Sequence, residues 1–133
     1  MNQRIPVIVI SLLQFLVLLP ASCIPAIIVN IEKEWGITHS QAGWVMAAFQ
    51  LGYTLAAVFV LPVTDRLDAR YIMLGGALLS GVAHLLFPFL ARDAITGTIL
   101  RALAGAGMGG IYMPGLRLVS LVPENKGKGI GIY

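Results

Sequence analysis

The sequence predicts an all-α membrane protein, a polytopic bundle of transmembrane helices, on three observations. Of its 133 residues, 58% are hydrophobic and 11% charged, with a mean hydropathy of +0.87; soluble domains are about 45–50% apolar and about 25% charged. Residues 5–31, 35–64 and 71–91 contain no Asp, Glu, Lys or Arg, and each run is long enough to cross a hydrocarbon core of about 30 Å as a helix. A fourth run, 94–119, is interrupted only by Arg101 and Arg117.

The first helix is expected over 5–29. Pro6 falls in its first turn, where a missing N–H does no harm, but Pro20 and Pro25 lie in its outer half. An unpaired carbonyl in lipid costs several kcal/mol, so these prolines call for neighbouring helices or a polar cavity. Residues 20–23, PASC, loosely resemble a lipoprotein cleavage site. The apolar run continues well past the 7–15 residues of a signal core, and the helix is read as retained. An outer loop is expected over 30–40, with Thr38 and Ser40 as candidate N-caps and Trp35 and Trp44 as an interfacial belt.

The second helix is expected over 41–63, with Pro62 marking its inner end. The following DRLDAR, residues 65–70, is too short for a domain, so the second and third helices form a tight antiparallel pair. The third is placed at 71–90, and the very short link ARDAITG leads to the fourth, placed at 94–119. PENKGKG then reads as an inner loop and IGIY as the start of a fifth helix near 129, so residues 1–133 are expected to be a fragment, an incomplete transmembrane domain.

The net charge of +3 does not imply nucleic acid, because the basic residues are scattered and form no face with aromatic interleaving. Orientation explains them better. With the N-terminus cytoplasmic, Arg4, Arg66, Arg70, Arg117, Lys126 and Lys128 fall inside, against Lys33 and Arg92 outside. The single cysteine, Cys23, has no internal partner for a disulfide. Neither a metal-spaced Cys/His cluster nor a nucleophile motif is present, so no enzyme activity, metal or cofactor is implied.

Polar groups at membrane depth are the candidate functional residues, since they face a bundle interior by default. Gln14 and Gln50 either line a substrate path or bond helices together, and His84 either titrates or bonds a backbone carbonyl. Arg101 lies about 10 Å into the fourth helix and either snorkels outward or heads a glycine groove. Arg101, Gly105 and Gly109 step by four along one face, within a run RALAGAGMGG that also holds Gly107 and Gly110. Glycine at that density is unfavourable in a helix unless backbones approach closely.

In this order and spacing the residues resemble the start of a major facilitator superfamily transporter. The likeness extends from Ile5 to Tyr133 and rests on SQAGWVMAAFQLGY, the Asp-Arg loop, the RxxxGxG run and the basic loop before a fifth helix. The family's loop signature is roughly G-x-L-A-D-R-x-G-R-K. It aligns with LPVTDRLDAR, keeping Asp65, Arg66 and a basic Arg70, while Leu61 and Asp68 replace its glycines. The resemblance implies that Asp65, Arg66 and Arg70 form a conformational latch, and that Arg101, Gly105 and Gly107 serve coupling or the substrate cavity. It also implies a partial six-helix half of a transporter that rocks against a missing C-terminal half around a midplane site.

The function expected is secondary active transport of a small molecule or ion by alternating access, across a membrane of bacterial inner type. A fragment is not expected to transport alone. Because no acid stands within the expected helices, Arg101 pairs either with an anionic substrate or with a carboxylate elsewhere. The rivals are a four-helix scaffold or subunit, for which DRLDAR only sets topology, and a small multidrug exporter, which needs a glutamate that the first helix lacks.

Overall fold

The structure, a computed structural model, describes residues 4–63 and 67–120. It is all-α among these residues: α1 is Arg4–Trp35, α2 His39–Val63, α3 Ala69–Leu90 and α4 Ala94–Ser120. All four are long and apolar enough to cross a membrane, the shortest such spans having 22 residues, which at about 1.5 Å per residue covers the hydrocarbon thickness.

The helix ends correct the expected boundaries. α1 continues through Trp35 instead of stopping at 29, because nothing in NIEKEW breaks a helix. The stop is Gly36, whose φ of +61° is left-handed, and the Ile37 N–H returns to the Glu32 carbonyl at 3.2 Å. Such a cap favours glycine because a side chain is strained there. The loop expected over 30–40 therefore shrinks to Gly36–Thr38. Glu32, Lys33 and Glu34 become the end of α1, so the helices do contain acids.

Thr38 caps α2 through a reciprocal pair: its Oγ1 accepts from the Gln41 N–H at 3.3 Å, and its own N–H donates to Gln41 Oε1 at 2.9 Å. Ser40, the other candidate, lies inside the helix. Asp68 caps α3 by accepting the Arg70 N–H at 2.9 Å, which starts that helix at Ala69, earlier than 71. Asp93 caps α4, accepting the Thr96 N–H at 2.8 Å. The fifth helix expected near 129 lies outside the described residues.

Packing is organised around α4. Of its span, 56% is buried, against 17%, 22% and 22% for the other three. The interior is built mainly from small residues, Ala42, Ala48, Ala57 and Ala104 among them, whereas large side chains such as Phe59, Tyr71 and Ile95 are exposed. That inversion suits lipid, where helices associate by close approach instead of by expelling water from large apolar groups.

Two glycine faces of α4 make this approach possible. A Cβ at Gly105 would overlap the Phe49 carbonyl, and one at Gly109 would stand 2.9 Å from the Tyr53 carbonyl, both on α2. On the other face, a Cβ at Gly107 would lie 2.5 Å from the Ser80 nitrogen of α3, and α3 answers with Gly76 against Gly107 and Gly110. α1 is joined mainly at its C-terminal half, where Ile24 and Ile31 pack with Phe87, Ala91 and Leu100. Trp35, expected in an interfacial belt, is half-buried over Phe87, with ring centroids 6.0 Å apart, while Trp44 is exposed.

Candidate functional site

Among the described residues, Arg101 is the charged side chain most enclosed by the bundle, with 4% of its surface exposed. The Asp93 cap fixes where α4 begins. The Thr96 hydroxyl also donates to Asp93 Oδ1 at 3.0 Å, and together these bonds hold the Asp93 carboxyl below its usual range. Counting from Ala94, Arg101 projects into the bundle about two turns down. The two α4 glycine faces bring the flanking helices close enough to surround it.

Each neighbouring helix contributes to that enclosure. From α2, the Phe49 ring lies beneath the guanidinium, 4.6 Å from Cζ to the ring centroid, a cation–π contact. From α1, the Ala21 carbonyl accepts a hydrogen bond from Arg101 Nη1 at 3.3 Å. From α3, the His84 ring stands 6.3 Å from the Phe49 ring. Arg101 Nε is buried without a hydrogen-bond partner, and among the described residues no carboxylate pairs with the guanidinium. The head group thus lies against α1 and α2 and retains an unused donor, an arrangement suited to an anion.

His84 is anchored locally. Its Nδ1 lies 2.8 Å from the Ser80 carbonyl one turn back and so carries the donated hydrogen, while Nε2 is buried without a hydrogen-bond partner. Gln14 is buried with Oε1 unpartnered, whereas Gln50 is exposed, and among the described residues no hydrogen bond joins the two. A cavity of about 640 Å³ between α1 and α3 is apolar apart from Cys23, Glu34 and His84, and Arg101 does not line it.

The loop residues divide. Asp65 and Arg66 lie outside the described residues, while Arg70 is exposed in the first turn of α3. Asp68, which sequence reasoning left unexplained, has its role as the α3 cap. Phe49 and the Ala21 carbonyl were also missed. For the carbonyl the signal was present: Pro25, four residues on, has no N–H to occupy it.

Residues 10–133 match the Major Facilitator Superfamily. The chain belongs to that superfamily. Membership and the four apolar helices make it an integral membrane protein. Among curated relatives, this superfamily member is 27% identical over 81 residues to the gentisate transporter of Corynebacterium glutamicum, covering 61% of this chain and 18% of that protein. It is 27% identical over 129 residues to the puromycin resistance protein of Streptomyces alboniger, covering 95% and 25%. It is 30% identical over 79 residues to the 4-hydroxybenzoate transporter of Pseudomonas putida, covering 59% and 17%. The chain thus spans a quarter or less of the length of these relatives. No solved structure matches it.

Proposed function

We propose that the chain is the N-terminal part of a secondary active transporter that carries a small aromatic carboxylate by alternating access, and that it is not an enzyme. The observation that carries this reading is Arg101: a buried cation on an aromatic ring, with an unused donor and, among the described residues, no carboxylate to neutralise it. A desolvated guanidinium favours a planar anion, which it binds through paired charge-assisted hydrogen bonds. Gentisate and 4-hydroxybenzoate, the substrates in two relatives' names, are hydroxylated aromatic carboxylates. Phe49 would meet the ring of such a ligand and Arg101 its carboxylate.

In the same reading Asp65, Arg66 and Arg70 latch one access state, Gly105 and Gly107 let α4 approach α2 and α3, and Gln14 contributes a buried acceptor beside the path. The missing C-terminal half supplies the second gate. The N-terminus is cytoplasmic and the membrane a bacterial inner membrane. The relative matched over 95% of the chain carries the name of a resistance protein, which raises export of a bulky aromatic cation as the competing reading. A buried arginine argues against that cargo by like-charge repulsion.

Uptake of radiolabelled 4-hydroxybenzoate by cells expressing the full-length protein tests the proposal. Uptake above the empty-vector level, reduced about tenfold or more by Arg101→Gln, is expected from losing a hydrogen bond to a charged group. Absence of aromatic acid uptake together with puromycin efflux would select the competing reading.

A further inference from the structure

Arg101 is held on α1 by an acceptor that an ordinary helix does not offer. In an α-helix the carbonyl of residue 21 receives the N–H of residue 25. Here residue 25 is Pro25, within an unbroken α1, so the Ala21 carbonyl has no such donor. A free carbonyl at membrane depth is costly unless something else donates to it, and Arg101 Nη1 does so at 3.3 Å across 80 residues of sequence. The guanidinium is then fixed from two sides, by this oxygen and by the Phe49 ring 4.6 Å away.

We infer that Pro25 is a positioning residue for Arg101: by withholding its N–H it frees the Ala21 carbonyl to orient the guanidinium, and that carbonyl stands where a ligand carboxylate oxygen would bind. The positioning half stands on geometry, whereas the ligand half rests on the transport reading. The exchange has a direction. A neutral carbonyl at 3.3 Å is a weak partner, while a carboxylate forms shorter charge-assisted bonds of about 2.7–2.9 Å and displaces it. Displacement removes a tie between α1 and α4, and α1 otherwise joins the bundle mainly through the cluster around Ile24 and Ile31. Ligand occupancy is thereby linked to the position of α1.

The test separates the missing N–H of Pro25 from its ring. In the full-length protein Pro25 is replaced by alanine, which restores an N–H, or by the α-hydroxy acid lactate through nonsense suppression, which restores none. Arg101→Gln is then added to each background and to the wild type. Thermal midpoints are read by size-exclusion chromatography of a fluorescent fusion. Arg101→Gln is expected to lower the midpoint by several degrees with proline or lactate at position 25, and by less than half as much with alanine. Equal losses in all three backgrounds would overturn the inference. Should Arg101→Gln fail to fold, the KM for 4-hydroxybenzoate decides: Pro25→Ala raises it severalfold and lactate restores it, whereas equal effects of alanine and lactate assign Pro25 to bending alone. Wild type without uptake removes the transport reading and the ligand half with it, leaving the stability cycle to judge positioning.

Discussion

At the scale of residues, charge is placed in this chain by distinct physical needs. Arg101 sits in a spot that only a specific neighbour justifies, and Arg101→Lys tests whether planarity matters. Lysine keeps the charge but loses the fork, so uptake is expected to fall about tenfold with expression unchanged. Full activity would mean that any cation suffices. The two aspartates of DRLDAR separate in the same way. Asp68 accepts the Arg70 N–H, so Asp68→Ala is expected to cost about 1 kcal/mol of stability while Asp68→Asn, which can still cap, costs little. Asp65→Asn, at the proposed latch, is expected to slow uptake and leave stability intact.

Asp93 contributes one pH dependence. Its carboxyl is held below the usual range, first by the Thr96 backbone N–H and then by the Thr96 hydroxyl. The cap's contribution is thus fully present above the ordinary carboxylate pKa of about 3.9 and is lost as pH falls through the lower folded value. Thermal midpoints compared between wild type and Asp93→Asn should differ by a constant amount from neutral pH downward and converge only in that acid range.

At the scale of elements, the glycines of α4 decide whether a bundle forms. Gly107 leaves no room for a Cβ beside Ser80 and Gly76, so Gly107→Ala is expected to destabilise by about 1–3 kcal/mol through overpacking. Gly75→Ala, where nothing lies within 4 Å of the added carbon, serves as the control and should be near neutral or slightly stabilising. A detergent-solubilised comparison of the two midpoints checks this, and equal midpoints would contradict the close approach.

How far these elements were legible depended on how local their causes are. Three charge-free runs and a fourth broken only by two arginines announced four helices, and the spacing of Arg101, Gly105 and Gly109 announced one contact face. The second face, Gly107 and Gly110 against Gly76, was not legible because it depends on which helix lies on the other side. The end of α1 was misplaced although Gly36 marked it, since the charges of Glu32, Lys33 and Glu34 were read as loop instead of as a last helical turn. The bond from Arg101 to Ala21 needed the fold, but Pro25 had already freed the carbonyl.

At the scale of the whole molecule, orientation and transport are the open claims. Positive-inside counting puts Lys33 outside and Leu67 inside. In a Cys23→Ser background, Lys33→Cys should react with an impermeant maleimide in intact cells, and Leu67→Cys only after permeabilisation. The reverse pattern would invert the topology and with it the proposed cytoplasmic latch. The superfamily was legible from motif order, while the cargo was not, because no single side chain in these four helices names one.

Counterflow in proteoliposomes of the full-length protein tests alternating access most directly. Vesicles loaded with unlabelled 4-hydroxybenzoate are diluted into a trace of labelled substrate. A carrier whose site faces one side at a time gives a transient overshoot of internal label above equilibrium, abolished by Arg101→Gln. Monotonic equilibration, or no entry at all, would contradict the proposal that this chain is part of an alternating-access carrier of aromatic carboxylates.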